Sequence, residues 1–128
     1  MKENDRIVLK IDAMPISANR IWLQCYRKKR TYLNKDYVNF RQILGIRAAG
    51  VKVPESWKFC SVKITVHPRR RVGDADNYIK CVLDSLTKAG VWTDDRIVSD
   101  VSCRFGSVDK RGSVDIEIVR SESKFEDV

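Results

Sequence analysis

Cys60, Val62, Ile64 and Val66 alternate without a break against Ser61, Lys63, Thr65 and His67, and Pro68 follows at once. Successive side chains of a strand point to opposite faces, so this run predicts a strand with one buried and one wet face. Proline lacks the backbone N–H that the ladder needs and ends the strand. A sheet with one apolar face must cover it, and two segments carry the pattern to do so. From Asn34 onward Tyr37, Phe40 and Leu44 recur at spacings of three and four, with Asn34 as N-cap and Gly50 as stop. Between Asn77 and Ala89 the residues Tyr78, Ile79, Val82, Leu83 and Leu86 form one stripe, closed by Gly90.

Further strands are predicted over residues 6–12, at Val101, Cys103 and Phe105, and at Val114, Ile116 and Ile118. Asp109-Lys110-Arg111-Gly112 suits a type I turn and predicts a β-hairpin between the last two. Residues 15–19 and 54–58 read as connectors. Residues 21–33 read as a strand pair or a surface excursion, and residues 121–128 as a frayed polar tail. The sum is βαβαββ in a single domain over 1–128. It is an α/β (α+β) fold, a mixed sheet with two helices on one face. At 128 residues and 43% apolar composition the chain can bury a real core.

No apolar run approaches the roughly 20 residues that span a bilayer, and no apolar segment follows the first residues. The expectation is a cytoplasmic protein with no membrane and no organic cofactor. Cys25, Cys60, Cys81 and Cys103 form no C-x-x-C pair, and His67 is the one histidine. Zinc ligands need closer spacing. The cysteines are therefore expected to be reduced thiols, three of them in the core, and any metal must be held by carboxylates. That points to Mg²⁺, with Mn²⁺ as a substitute.

The net charge is +8, and it is unevenly spread. Residues 1–73 hold 17 Lys/Arg against 5 Asp/Glu, whereas residues 74–128 hold 8 against 12. Arg27-Lys28-Lys29-Arg30 and Arg69-Arg70-Arg71 are the two basic runs, and such clusters attract polyanions. Immediately after the second run come Asp74 and Asp76. Residues i and i+2 of an extended segment point the same way, so two carboxylates face one spot. Beside a basic surface they would repel a nucleic-acid phosphate unless a divalent cation stood between. The Asp94-Asp95 pair offers a third carboxylate. Lys80 lies one helical turn after Asp76 and can contact a phosphate, while Asp84 continues that face as a salt-bridge partner. A helix over 77–89 is about 20 Å long and residues 90–95 cover at most about 18 Å. Asp95 therefore joins only if residues 91–95 run back extended along the helix. Plainer readings compete: Asp74 or Asp76 as a helix cap, Asp94-Asp95 as a turn, Lys80–Asp84 as a surface pair.

The stretch Asp74-Ala75-Asp76-Asn77-Tyr78-Ile79-Lys80, then Leu83-Asp84, then Gly90 to Asp95, resembles the signature of the RusA-type Holliday-junction resolvases. Pro15-x-Ser17-x-Asn19 and Tyr32-Leu33 resemble the family more weakly. The resemblance implies a homodimeric Mg²⁺-dependent crossover junction endodeoxyribonuclease of bacteria or their phages, acting on DNA four-way junctions in recombination and repair. Its metal carboxylates fall on Asp74, Asp76 and Asp95, with Asp94 as the substitute, and its essential lysine on Lys80. Gly73 stands where the family can carry a bulky residue, which leaves no wedging side chain to assign there. Arg27, Lys28, Lys29, Arg30, Arg69, Arg70 and Arg71 would hold DNA phosphates, and Trp22, Tyr26, Tyr32 and Trp92 either stack on bases or pack in the core or dimer. The competing readings are a non-catalytic basic nucleic-acid-binding phage protein and a metal-dependent ribonuclease.

Overall fold

The computed structural model describes residues 5–122 apart from Tyr26, Lys28 and Val72. Six strands and two helices follow in the order β1 (Arg6–Ile11), β2 (Trp22–Cys25), β3 (Arg30–Leu33), α1 (Lys35–Arg47), β4 (Phe59–His67), α2 (Ile79–Lys88), β5 (Val98–Phe105) and β6 (Ser113–Ser121). Short 3₁₀ turns lie at Ala18–Arg20, Ala75–Tyr78 and Asp95–Ile97. The α+β architecture is the one expected, and residues 21–33 take the strand-pair alternative, with β2 and β3 forming a separate two-stranded hairpin.

The main sheet has the order β1-β6-β4-β5, with β5 parallel to β4 and the other neighbours antiparallel. Its register lines up the apolar residues in rows. Ile7, Ile118, Val62 and Val101 form one, Leu9, Ile116, Ile64 and Cys103 the next, and Ile11, Val114, Val66 and Phe105 the third. Tyr37, Phe40 and Leu44 of α1 and Cys81, Val82 and Leu86 of α2 share one core with these rows, so both helices cover the same face. The opposite face is polar: Lys10, Asp115, Thr65 and Arg104 form one of its rows.

Asn34 caps α1 as expected, its side chain accepting from the Asp36 N–H at 2.9 Å. The predicted hairpin between β5 and β6 does not form. The turn itself is present, with the Gly112 N–H donating to the Asp109 carbonyl at 2.9 Å and Gly112 at φ +76°. It carries the chain over the end of β4, where Gly106 donates to Val66 O and Asp109 to Pro68 O. β6 thus enters on the far side of β4 and leaves β5 at the sheet edge. The β4–α2–β5 crossover sets β5 parallel on one flank of β4, and β6 takes the other flank, where it also pairs with β1.

β5 begins three residues earlier than predicted because a register shift opposite Cys60 and Ser61 breaks the alternation there. Ser99 at the shift donates its hydroxyl to Cys60 O at 3.1 Å. β6 extends through Ser121, so the start of the expected frayed tail is strand, and residues 123–128 lie outside the described residues. Cys60 and Cys81 are buried and Cys103 is half-buried, all three as free thiols.

Candidate active site

β4 delivers the chain to Pro68, and the basic run follows it to Gly73, which takes φ +82°. That left-handed conformation favours glycine and turns the chain back toward α2. Asp74 is extended at φ −110°, ψ 134°, and begins the 3₁₀ turn Ala75–Tyr78. Its carboxylate makes no side-chain cap hydrogen bond, so the plain capping reading does not account for it. The turn that holds Asp76 is bolted to β5 at two points. The Cys103 thiol donates to Ala75 O at 3.0 Å, and the Tyr78 ring meets Phe105 edge-on, 6.2 Å between centroids. Burial, and then the Asp76 carboxylate nearby, push the Cys103 thiol up to about 11, so it stays a neutral donor. Asp74 and Asp76 are both exposed, and neither is ion-paired among the described residues.

The helix predicted from Asn77 starts as α-helix only at Ile79. The 3₁₀ turn before it winds at about three residues per turn, so Asp76 does not stack one α-turn below Lys80 as expected. Lys80 instead pairs with Asp84, Nζ to Oδ2 at 3.1 Å, on an open surface.

Residues 91–95 do not run extended along α2. They make bends held at its C-terminal end, where the Val91 N–H donates to Leu86 O and Val91 O accepts from Val53. Trp92 decides this path. Its ring is buried at 6% exposure, and its Nε1–H is satisfied by Thr87 Oγ1 at 2.7 Å. A buried indole N–H without a partner would be costly, so the chain curls to provide one. Trp92 is therefore a core residue, whereas Trp22 and Tyr32 are exposed on the β2–β3 hairpin. Tyr26 lies outside the described residues.

The two neighbouring aspartates differ in what they do. Asp94 caps the 3₁₀ turn, accepting from the Arg96 N–H at 2.9 Å, and also pairs with the Arg96 guanidinium. Asp95 begins the same turn and is exposed, with its carboxylate in no ion pair among the described residues. Among the described residues no three acidic, histidine or cysteine side chains form a cluster that could hold a metal ion.

A model of the family described as endodeoxyribonuclease RusA matches residues 12–119 of the chain. The chain belongs to the RusA endodeoxyribonuclease family. No curated protein matches it. The RusA match covers both helices, the Asp74–Lys80 stretch and most of the sheet. It makes this a Holliday junction resolvase-type endonuclease fold with its acidic turn at the junction of β4 and α2.

The expected basic residues divide between two loops. Arg27, Lys29 and Arg30 lie at the tip of the β2–β3 hairpin, and Arg69, Arg70 and Arg71 precede the acidic turn. Lys28 lies outside the described residues. Two arginines that the linear sequence does not group, Arg20 and Arg111, share a cleft with Arg69 and Arg70. Only the fold brings them there, so no sequence signal marks them.

Proposed function

We propose that this RusA-family protein is a Mg²⁺-dependent, structure-selective endonuclease that nicks DNA four-way junctions in recombination and repair. The observation that carries the reading is the acidic turn: two exposed carboxylates, Asp74 and Asp76, in no ion pair among the described residues, at a 3₁₀ turn tied to β5 through Ala75 and Tyr78 and preceded by arginines. Mg²⁺ takes one or two carboxylates and fills its remaining positions with water and substrate phosphate. The pair meets that demand by its donor chemistry, and Mn²⁺ would substitute. Asp95, the expected third ligand, begins the turn that leads into the start of β5, whereas the Asp76 turn is tied to the other end of that strand, so within one chain this reading rests on the Asp74–Asp76 pair. Asp94, the substitute, is engaged as a cap and in an ion pair. When bound, the metal would polarise the scissile phosphate and supply a hydroxide-like nucleophile.

The chain's own groups do the rest. In this reading Asp74 and Asp76 meet the incoming phosphate with no ion pair among the described residues to neutralise them, so they favour a divalent ion over bare DNA. Lys80 transfers its ammonium from Asp84 to the phosphate as charge builds there. An exposed pair of this kind contributes at most about 1 kcal/mol, so its release costs little. The arginine runs provide contacts to phosphates that carry no sequence information. A four-way junction has approximate two-fold symmetry, and a C₂ homodimer offers two matching sites for paired nicks. The reading places the protein in the cytoplasm of a bacterial cell, encoded by the host or by a phage.

The test is cleavage of a synthetic four-way junction with and without Mg²⁺, beside Asp76→Asn. Symmetric nicks by the unmodified protein in Mg²⁺ are expected, with none from the variant and junction binding kept or strengthened. Full cleavage by Asp76→Asn would remove the assignment.

A further inference from the structure

A cleft of about 580 Å³ opens beside the acidic turn, walled by the Asp12–Ser17 loop, the first half of α1 and the Pro68–Arg70 segment. Its size lies within the range of ordinary ligand clefts, about 300–1,000 Å³. Arg20, Arg69, Arg70 and Arg111 line it, against Asp12 and Asp36, which leaves a surplus of two positive charges. No ion pair among the described residues neutralises any of the four guanidinium groups. Cations in surplus over the carboxylates beside them repel one another and raise the local potential, which an anionic ligand relieves.

The arginines are set in place by the frame around them. Asn34 holds the Arg20 segment, its Nδ2 donating to Arg20 O at 2.9 Å and its N–H to Ile21 O at 2.9 Å. Arg69 Nε donates to Arg111 O at 3.4 Å, which ties the two loops together at the rim. The turn bearing Arg111 sits tightly on the Asp12–Ser17 loop: a Cβ on Gly112 would come within 2.8 Å of Met14 Cβ. The cleft also adjoins the acidic turn directly. Tyr78 lines it and belongs to the same 3₁₀ turn as Asp76, while the wall residues Pro68–Arg70 lead straight to Asp74.

We infer that this cleft is a second phosphate-binding site, which holds the backbone of the cut DNA strand next to the scissile phosphate, with Arg20 and Arg111 among its contacts. The inference rests on the endonuclease reading above and adds to it the path of the strand. Guanidinium groups suit this role because they stay charged and present a planar fork to phosphate oxygens. Two aspartates in the same cleft disfavour any approach that does not satisfy the arginines first.

The experiment measures binding of the full chain to a synthetic four-way junction in EDTA, by fluorescence anisotropy over a range of salt. Arg20→Ala with Arg111→Ala is expected to lower the slope of log affinity against log salt by about 2, roughly one per lost phosphate contact. Affinity at low salt falls on the order of tenfold. The double lysine variant, Arg20→Lys with Arg111→Lys, keeps most of the slope. Arg70→Ala with Arg111→Ala carries the same expectation and serves if the first pair fails to fold. An unchanged slope in a folded alanine variant overturns the inference, as does a lysine variant as impaired as the alanine one. Those outcomes leave the cleavage reading standing, whereas cleavage by Asp76→Asn strikes that reading alone.

Discussion

Lys80 and His67 show how differently two charged side chains can be used. Lys80 is 61% exposed in its pair with Asp84, so its removal barely touches the fold. Lys80→Ala is expected to slow junction cleavage by about 10²–10³-fold, the usual loss for one group stabilising transition-state charge. Its thermal midpoint should match that of the unmodified protein. A single-turnover assay beside a thermal melt checks both halves. His67 is structural. Its Nδ1 faces Ser107 O and its Nε2 faces Asp115 Oδ2, both at 2.9 Å, and two acceptors are satisfied only when both nitrogens carry hydrogens. The Asp115 hydrogen bond accordingly raises its pKa above the ordinary 6.5, against an opposing effect of burial. A group held more strongly protonated in the folded state contributes stability below its unfolded value and loses it as pH rises through the folded one. Thermal midpoints should therefore fall as pH climbs from about 6.5, and His67→Gln should flatten that part of the curve. A parallel pH profile for the two proteins would refute the role.

At the scale of elements, the end of β5 depends on what lies beside it. A Cβ on Gly106 would stand 2.5 Å from His67 Cε1 and 2.8 Å from Thr65 Cγ2. The His67 ring is pinned at both nitrogens and cannot swing aside. Gly106→Ala should cost about 1–3 kcal/mol, the usual penalty of overpacking, read from chemical denaturation. The β4 alternation was legible because one face of that strand meets helices and the other meets water, which writes a period of two directly into the residue types. Asn34 was legible as a cap because its side chain acts on its own neighbours. The β5–β6 hairpin misled because the Asp109–Gly112 turn is genuine while the strand partners are chosen by the sheet, far along the chain. The path of residues 91–95 was hidden for a similar reason: Trp92 needed Thr87, and spacing does not reveal which polar group a buried ring will find. Asp74 and Asp76 were visible as neighbours in sequence, but Asp76 sits in a 3₁₀ turn and not in the extended segment expected to aim both carboxylates one way. Arg20 and Arg111, 91 positions apart in sequence, were invisible until the fold joined them.

For the whole molecule, the proposed two-fold assembly makes its own prediction. If two protomers each cut one strand, mixing unmodified protein with excess Asp76→Asn before adding a supercoiled junction plasmid should yield nicked circles at the expense of linear product. Linear product falling in step with nicked product would mean that one protomer makes both cuts. No helix among the described residues is long and apolar enough to cross a membrane. The positive surplus of residues 1–73 should make junction binding weaken steeply with salt.

The position of β6 also governs when the fold can exist. β6, the sixth of the described strands in chain order, is the second in the sheet, wedged between β1 and β4, with its residues 114–119 paired to residues 6–11. A chain halted before Ser113 has an N-terminal strand with nothing to pair with and a β4–α2–β5 unit with one flank of β4 bare. Such flanks invite pairing with other chains. Closure must also wait for contacts spanning most of the sequence, a topology that folds slowly. The acidic turn is drawn from the middle of the chain, yet the sheet that steadies it is complete only when residues 114–119 reach residues 6–11.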